Sequence, residues 1–138
     1  MKREVIVPAT SGKLPERVYS PAIRTGNVLY VSGQTGSDFV TKAFEPDIES
    51  QTHRSLGNIK AIVEAAGGTL ADVAKVNVYM VDMPADFAKM NAVFKQYFPT
   101  EPPARCTVGV AHLARPGLLL EIEAIAVLRD QGDMRPTG

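Results

Sequence analysis

Tryptophan is absent, cysteine occurs once and neither charge predominates in this 138-residue chain, which carries fifteen basic and fifteen acidic side chains. The lone thiol, Cys106, excludes an internal disulfide and fits a reducing compartment. A formal net charge of zero argues against a general nucleic-acid or membrane-surface binder. No apolar run approaches the length of a membrane span. Behind the basic start Met1-Lys2-Arg3 the apolar stretch ends at Pro8, too short for a signal peptide. His53 and His112 lack metal-ligand spacing, so no metal site is expected. The expectation is a soluble, cytoplasmic protein of one domain, long enough to bury a core without metal or disulfide support.

The residues that are present change period along the chain. Lys2 to Val7 reads as a short strand, ended by Pro8 and the Thr10-Ser11-Gly12 turn cluster. Ala22 to Arg24 and Val28 to Ser32 flank Gly26-Asn27, a hairpin signal. Gly33 to Asp38 has loop composition. From Pro46 the spacing turns helical: Ile48, Thr52, Leu56, Ile59, Val63 and Ala66 share one side, with Gly67-Gly68 as the stop. Val76, Val78 and Met80 alternate with Lys75, Asn77 and Tyr79 as a half-buried strand. Pro84 opens a second helix carrying Phe87, Met90, Phe94 and Phe98. Two further strands follow, around Arg105 and around Glu121 to Ala126, separated by the Ala114-Arg115-Pro116-Gly117 turn. Residues 1–130 form the single domain, and 131–138 a polar tail expected to fray.

This order predicts an α+β fold, one mixed sheet with two helices on a single face. The opposite face, bearing Tyr79, Glu121, Glu123 and Ile125, has nothing left in the chain to cover it. A half-apolar, uncovered sheet face predicts association with further subunits.

Two segments point to chemistry. Pro102-Pro103 forces an extended approach to Arg105, whose planar guanidinium suits a carboxylate or phosphate. In Glu121-Ile122-Glu123-Ala124-Ile125-Ala126, apolar positions alternate with Glu121 and Glu123. A cationic anchor and a carboxylate face, on two strands joined by a short connection, suggest a site that holds a small anion and activates water.

Read in sequence order, Tyr19-Ser20-Pro21-Ala22, the run Gly26 to Gln34, Gln51-Thr52, Asn58 to Gly67, Asp86-Phe87-Ala88, Pro103-Ala104-Arg105 and Glu121 to Ala126 resemble the RidA/YjgF family over nearly the full length. The resemblance implies a chorismate-mutase-like α+β fold and a homotrimer with three pockets between subunits. It also implies hydrolysis of a reactive 2-imino or enamino acid to the 2-oxo acid and ammonia, without a metal or organic cofactor. By that resemblance Arg105 clamps the substrate carboxylate, Glu121 is linked to water activation and Tyr19 borders the pocket.

Backbone groups of Gly33, Cys106 and Thr107 are candidate substrate contacts, because strand ends expose unpaired donors and acceptors. Tyr19 reads equally well as a hydroxyl donor or as an amphipathic wall. The Cys106 side chain should point away from that of Arg105, and a buried structural thiol is the favoured reading over a nucleophile. Glu123 is the ordinary solvated carboxylate unless it pairs across an interface. Arg17-Val18, Thr35-Gly36 and Thr107 depart from common family choices, and the loop before Glu121 is one residue longer than in close relatives. These changes alter the pocket wall and leave Arg105 and Glu121 in place. The competing reading is a non-catalytic trimeric protein that binds a small carboxylate or regulates. Nuclease activity, attached to some relatives, finds no basic–aromatic interleaving here.

Overall fold

The computed structural model describes residues 2–9 and 18–129. Its elements are β1 (Arg3–Ile6), β2 (Ala22–Thr25), β3 (Val28–Thr35), α1 (Ile48–Ala65), β4 (Val73–Met80), α2 (Met83–Tyr97), β5 (Ala104–Gly109) and β6 (Leu120–Val127). The Thr10-Ser11-Gly12 turn and the 131–138 tail lie outside the described residues. The strands form one six-stranded sheet in the order β1-β2-β3-β6-β4-β5. Only the β4–β5 pair is parallel.

Local chemistry explains the boundaries. Gly26 adopts φ 59° in the β2–β3 turn, a conformation that favours glycine. The carboxylate of Asp47 accepts from the Ser50 amide and caps α1, and Asp82 caps α2 through Ala85. Gly67, at φ 90°, ends α1. The Arg24 guanidinium donates to the Ala66 carbonyl at that end, over 3.1 Å, where the helix dipole favours a cation.

Leu29 and Val31 of β3, Leu56, Ile59, Ile62 and Val63 of α1, Val76, Val78 and Met80 of β4, and Leu120 and Ile122 of β6 form the buried core. Each such side chain stabilises the fold by about 1.5–3 kcal/mol relative to exposure. Both helices lie on one side of the sheet, as the period changes implied. On the other side Tyr30, Val108, Ile125 and Val127 are exposed. Among the described residues, no helix is long and apolar enough to cross a membrane.

Three details differ from the sequence reading. The segment after Ser32 is not all loop: β3 continues to Thr35 through an irregularity between Val31 and Gln34, held against β6. Phe87 does not join Met90 and Phe94 in the core but stands 39% exposed. The last two strands are not neighbours. The β4–α2–β5 unit puts β5 parallel to β4 on the sheet edge, and residues 110–119 cross back so that the more apolar β6 fills the centre.

Candidate functional site

The sheet register divides the sequence-derived residues into two groups. Arg105 stands opposite Val76, and Val76 opposite Ala124, so Arg105 points to the helix-covered side. Thr107, opposite buried Val78, faces the same way. Glu121 stands opposite Tyr79, and Tyr79 opposite Val108, on the uncovered side. Cys106 and Glu123, both opposite Asn77, share that open side. Arg105 and Glu121 of one chain therefore lie on opposite faces and cannot together grip one small anion. The strand alternation that separates Glu121 from Ala124 is responsible.

Arg105 is half-buried. Its guanidinium carbon lies 4.9 Å from the Phe94 ring centre and 5.9 Å from that of Phe87, with an Nη 4.0 Å from the Met90 sulfur. Among the described residues it has no anionic partner. Burial lowers its pKa from the ordinary arginine value. An aromatic shelf orients the fork, with one Nη turned to the Met90 sulfur and the other guanidinium donors without an acceptor among the described residues.

Tyr19, Gly33, Thr35, Asp38, Lys42 and Glu121 help to line a separate cleft of about 540 Å³. Glu121 is half-buried there, and among the described residues its carboxyl has no hydrogen-bond partner. Burial, and then the nearby Glu123 charge, raise its pKa above the ordinary glutamate value. Glu123 is differently placed, accepting from the Tyr79 hydroxyl over 2.5 Å and the Asn77 amide over 3.1 Å. Tyr19 is 63% exposed at the cleft rim. The buried-thiol expectation for Cys106 does not hold among the described residues: the side chain is exposed, because β5 is an edge strand and no other described element covers the open face there.

The cleft is mounted on α1 through residues to which the sequence reading gave no role in the site. The Gln51 amide, fully buried, donates to the carbonyls of Glu45 and Gly117, each over 2.9 Å, and accepts from the Leu119 amide over 2.7 Å. Ser55 donates to the Gln34 carbonyl and Asn58 to the Ser37 carbonyl. Gln51, Ser55 and Asn58 recur at i, i+4 and i+7, a polar stripe beside the apolar one. That spacing was the available signal. Gly36 follows from the same contact, since a methyl there would sit 2.4 Å from Cβ of Gln51. Among the described residues no cluster of three or more His, Cys, Asp or Glu is placed to hold a metal.

Comparisons with known proteins converge on one family. A family model described as Endoribonuclease L-PSP matches residues 10–128. A RutC family protein of Pyrococcus horikoshii is 49% identical over 125 residues, covering 90% of this chain and 97% of that protein. A protein of Dermatophagoides farinae named 2-iminobutanoate/2-iminopropanoate deaminase is 40% identical over 111 residues, covering 80% of this chain and 85% of its own length. Among solved structures, that of E. coli TdcF with bound serine superposes with a TM-score of 0.82 at 35% identity, covering 91% of this chain and 99% of that one.

Proposed function

The chain belongs to the RidA/YjgF family, whose model carries the endoribonuclease L-PSP description, and from that premise we propose that it hydrolyses small 2-imino acids, and their enamine tautomers, to 2-oxo acids and ammonia. The relative named as an imine deaminase supports this reaction. The neighbour holding serine supports a ligand that carries a carboxylate beside nitrogen.

The observation that carries the reading is an arginine without an anion and a half-buried carboxyl without a hydrogen bond, both among the described residues. Among the described residues, Arg105 rests on aromatic rings with no anion beside it, and Glu121 projects into the cleft with no hydrogen bond to its carboxyl. Groups left unsatisfied in half-buried settings are costly to keep, and ligand contacts would satisfy them. Because the two occupy opposite faces, a small substrate meets both only where two copies adjoin. We assign a homotrimer in which Arg105 of one protomer and Glu121 of its neighbour share each of three sites, a ring geometry that closes.

In each site Arg105 holds the substrate carboxylate bidentately and fixes the C=N bond for attack. Water adds to the imine carbon while the Glu121 carboxyl gives its proton to the nitrogen. The resulting carboxylate takes a proton from the added water, leaving a neutral carbinolamine. Glu121 then protonates the amino nitrogen, the C–N bond breaks, and the hydroxyl proton returns to Glu121 as the C=O forms. One water enters, one ammonia leaves and Glu121 is regenerated. Tyr19 borders the site, and backbone groups of Gly33, Cys106 and Thr107 are its further contacts. No metal or organic cofactor is called for.

The test generates 2-iminobutanoate or 2-iminopropanoate in situ and follows ammonia release. Wild type should accelerate it, and Arg105→Ala should lower kcat/KM by about a hundredfold or more. No acceleration by wild type would overturn the deaminase reading. Carboxylate binding retained in that inactive protein would favour the non-catalytic binder.

A further inference from the structure

We propose that Glu123 is a positioning residue for Glu121: anchored by Tyr79 and Asn77, its carboxylate is a fixed charge that adds to burial in opposing ionisation of the Glu121 carboxyl and so favours delivery of a proton from it. The two glutamates are at i and i+2 on one strand and share one face, about 7 Å apart along β6. Their surroundings are asymmetric. Glu123 Oε1 accepts from both Tyr79 and Asn77, an arrangement that suits the anion. Both donors come from β4, whose intervening residues Val76, Val78 and Met80 are fully buried, so the anchor is rigid. Glu121 accepts no hydrogen bond among the described residues and lies over Gly33. A like charge at this spacing in a half-buried cleft opposes ionisation of the unanchored carboxyl.

Among the described residues, the charged and titratable groups that face this pair come from β4, β5 and the cleft walls. From β4 the titratable groups on this face are Lys75, opposite Ile125, and Tyr79, opposite Glu121; the bond from Tyr79 to Glu123 raises the Tyr79 pKa, so the phenol remains a donor. Cys106 of β5 lies beside Tyr79. Around the cleft stand Tyr19, Asp38, Lys42 and Arg115. Asp38 is paired with Arg54 at 3.3 Å. Arg115 is stacked on Phe44 and donates to the Lys42 carbonyl. Burial and Glu123 are what raise Glu121.

The consequence for turnover rests on the deaminase reading, whereas the protonation of Glu121 does not, and the experiment separates them. Full-length protein carrying carboxyl-13C glutamate is titrated by NMR, with Glu121→Gln identifying the Glu121 resonance. Its midpoint should lie above that of an ordinary glutamate and fall by about half a pH unit or more in Glu123→Gln. The alkaline limb of kcat should move to lower pH in Glu123→Gln, whereas a merely structural role would reduce activity at every pH without moving the limb. An unmoved Glu121 midpoint in Glu123→Gln overturns the proposal, even if wild type hydrolyses imines. A moved midpoint in a protein without that activity sustains it and removes the deaminase reading alone.

Discussion

A methyl group placed on Gly33 would lie 2.7 Å from Oε2 of Glu121 and 2.8 Å from its Cδ, so the bare backbone of β3 is what leaves room for that carboxyl. The obstructing atoms belong to a movable side chain, and the backbone of Gly33 needs no left-handed conformation. Gly33→Ala should therefore fold with little loss of stability and displace Glu121. A displacement of about 1 Å at a reacting group lowers turnover by about a hundredfold. Paired measurements of Tm and kcat on this variant test the separation, and a normal kcat would refute it.

Mixing two inactive proteins tests the shared site. Arg105→Ala lacks the anchor and Glu121→Gln lacks the acid. If each site draws one residue from each of two neighbours, random mixed trimers should recover about one quarter of wild-type sites. Unfolding and refolding the two variants together, then assaying imine hydrolysis, gives the readout. Recovery of nothing would overturn the shared site.

Gln51 should matter to stability more than its polarity suggests. Replacing it with Ala leaves the Leu119 amide and the Glu45 and Gly117 carbonyls without their partner. The loss should be about 2–4 kcal/mol, read as a lower urea midpoint. The conservative Gln51→Glu keeps the acceptor but not the donors, and should recover only part of it.

Stability should also depend on pH through Glu121. Its folded-state pKa is raised, chiefly by burial and then by Glu123. The folded chain thus holds that proton where the unfolded chain has released it. The contribution is complete below the ordinary glutamate range and is lost as pH rises through the raised value. Glu121→Gln cannot titrate, so it should be more stable than wild type near neutral pH, with the gap closing in acid. Denaturant unfolding of both proteins at several pH values measures this.

The elements with strong periods were readable from residue order. Ile48, Leu56, Ile59 and Val63 marked the buried side of α1, and alternation along Glu121 to Ala126 marked both faces of β6. The open sheet face followed from having only two helices to cover it. What stayed hidden was register between distant strands. Nothing in the run from Pro102 to Val108 states that β5 pairs with β4 and not with β6, so the opposition of Arg105 and Glu121 emerged only from the pairing. Cys106 was misjudged for the same reason, since burial of a strand residue depends on whether its strand is central or at the edge. Gln51, Ser55 and Asn58 carried a readable spacing, but apolar neighbours drew the helix period toward the core.

The hold of Gln51 on both the Glu45 region and the Gly117–Leu119 segment has a consequence for how this scaffold can diversify. The walls near Glu121 hang from a helix, whereas Glu121 itself is set by strand pairing. Residues in those two wall segments can thus be exchanged, lengthened or shortened to admit a different side chain on the ligand while the strand ladder stays unaltered. In the proposed site, the choice of ligand and the reactive carboxyl would thus rest on separable parts of the chain.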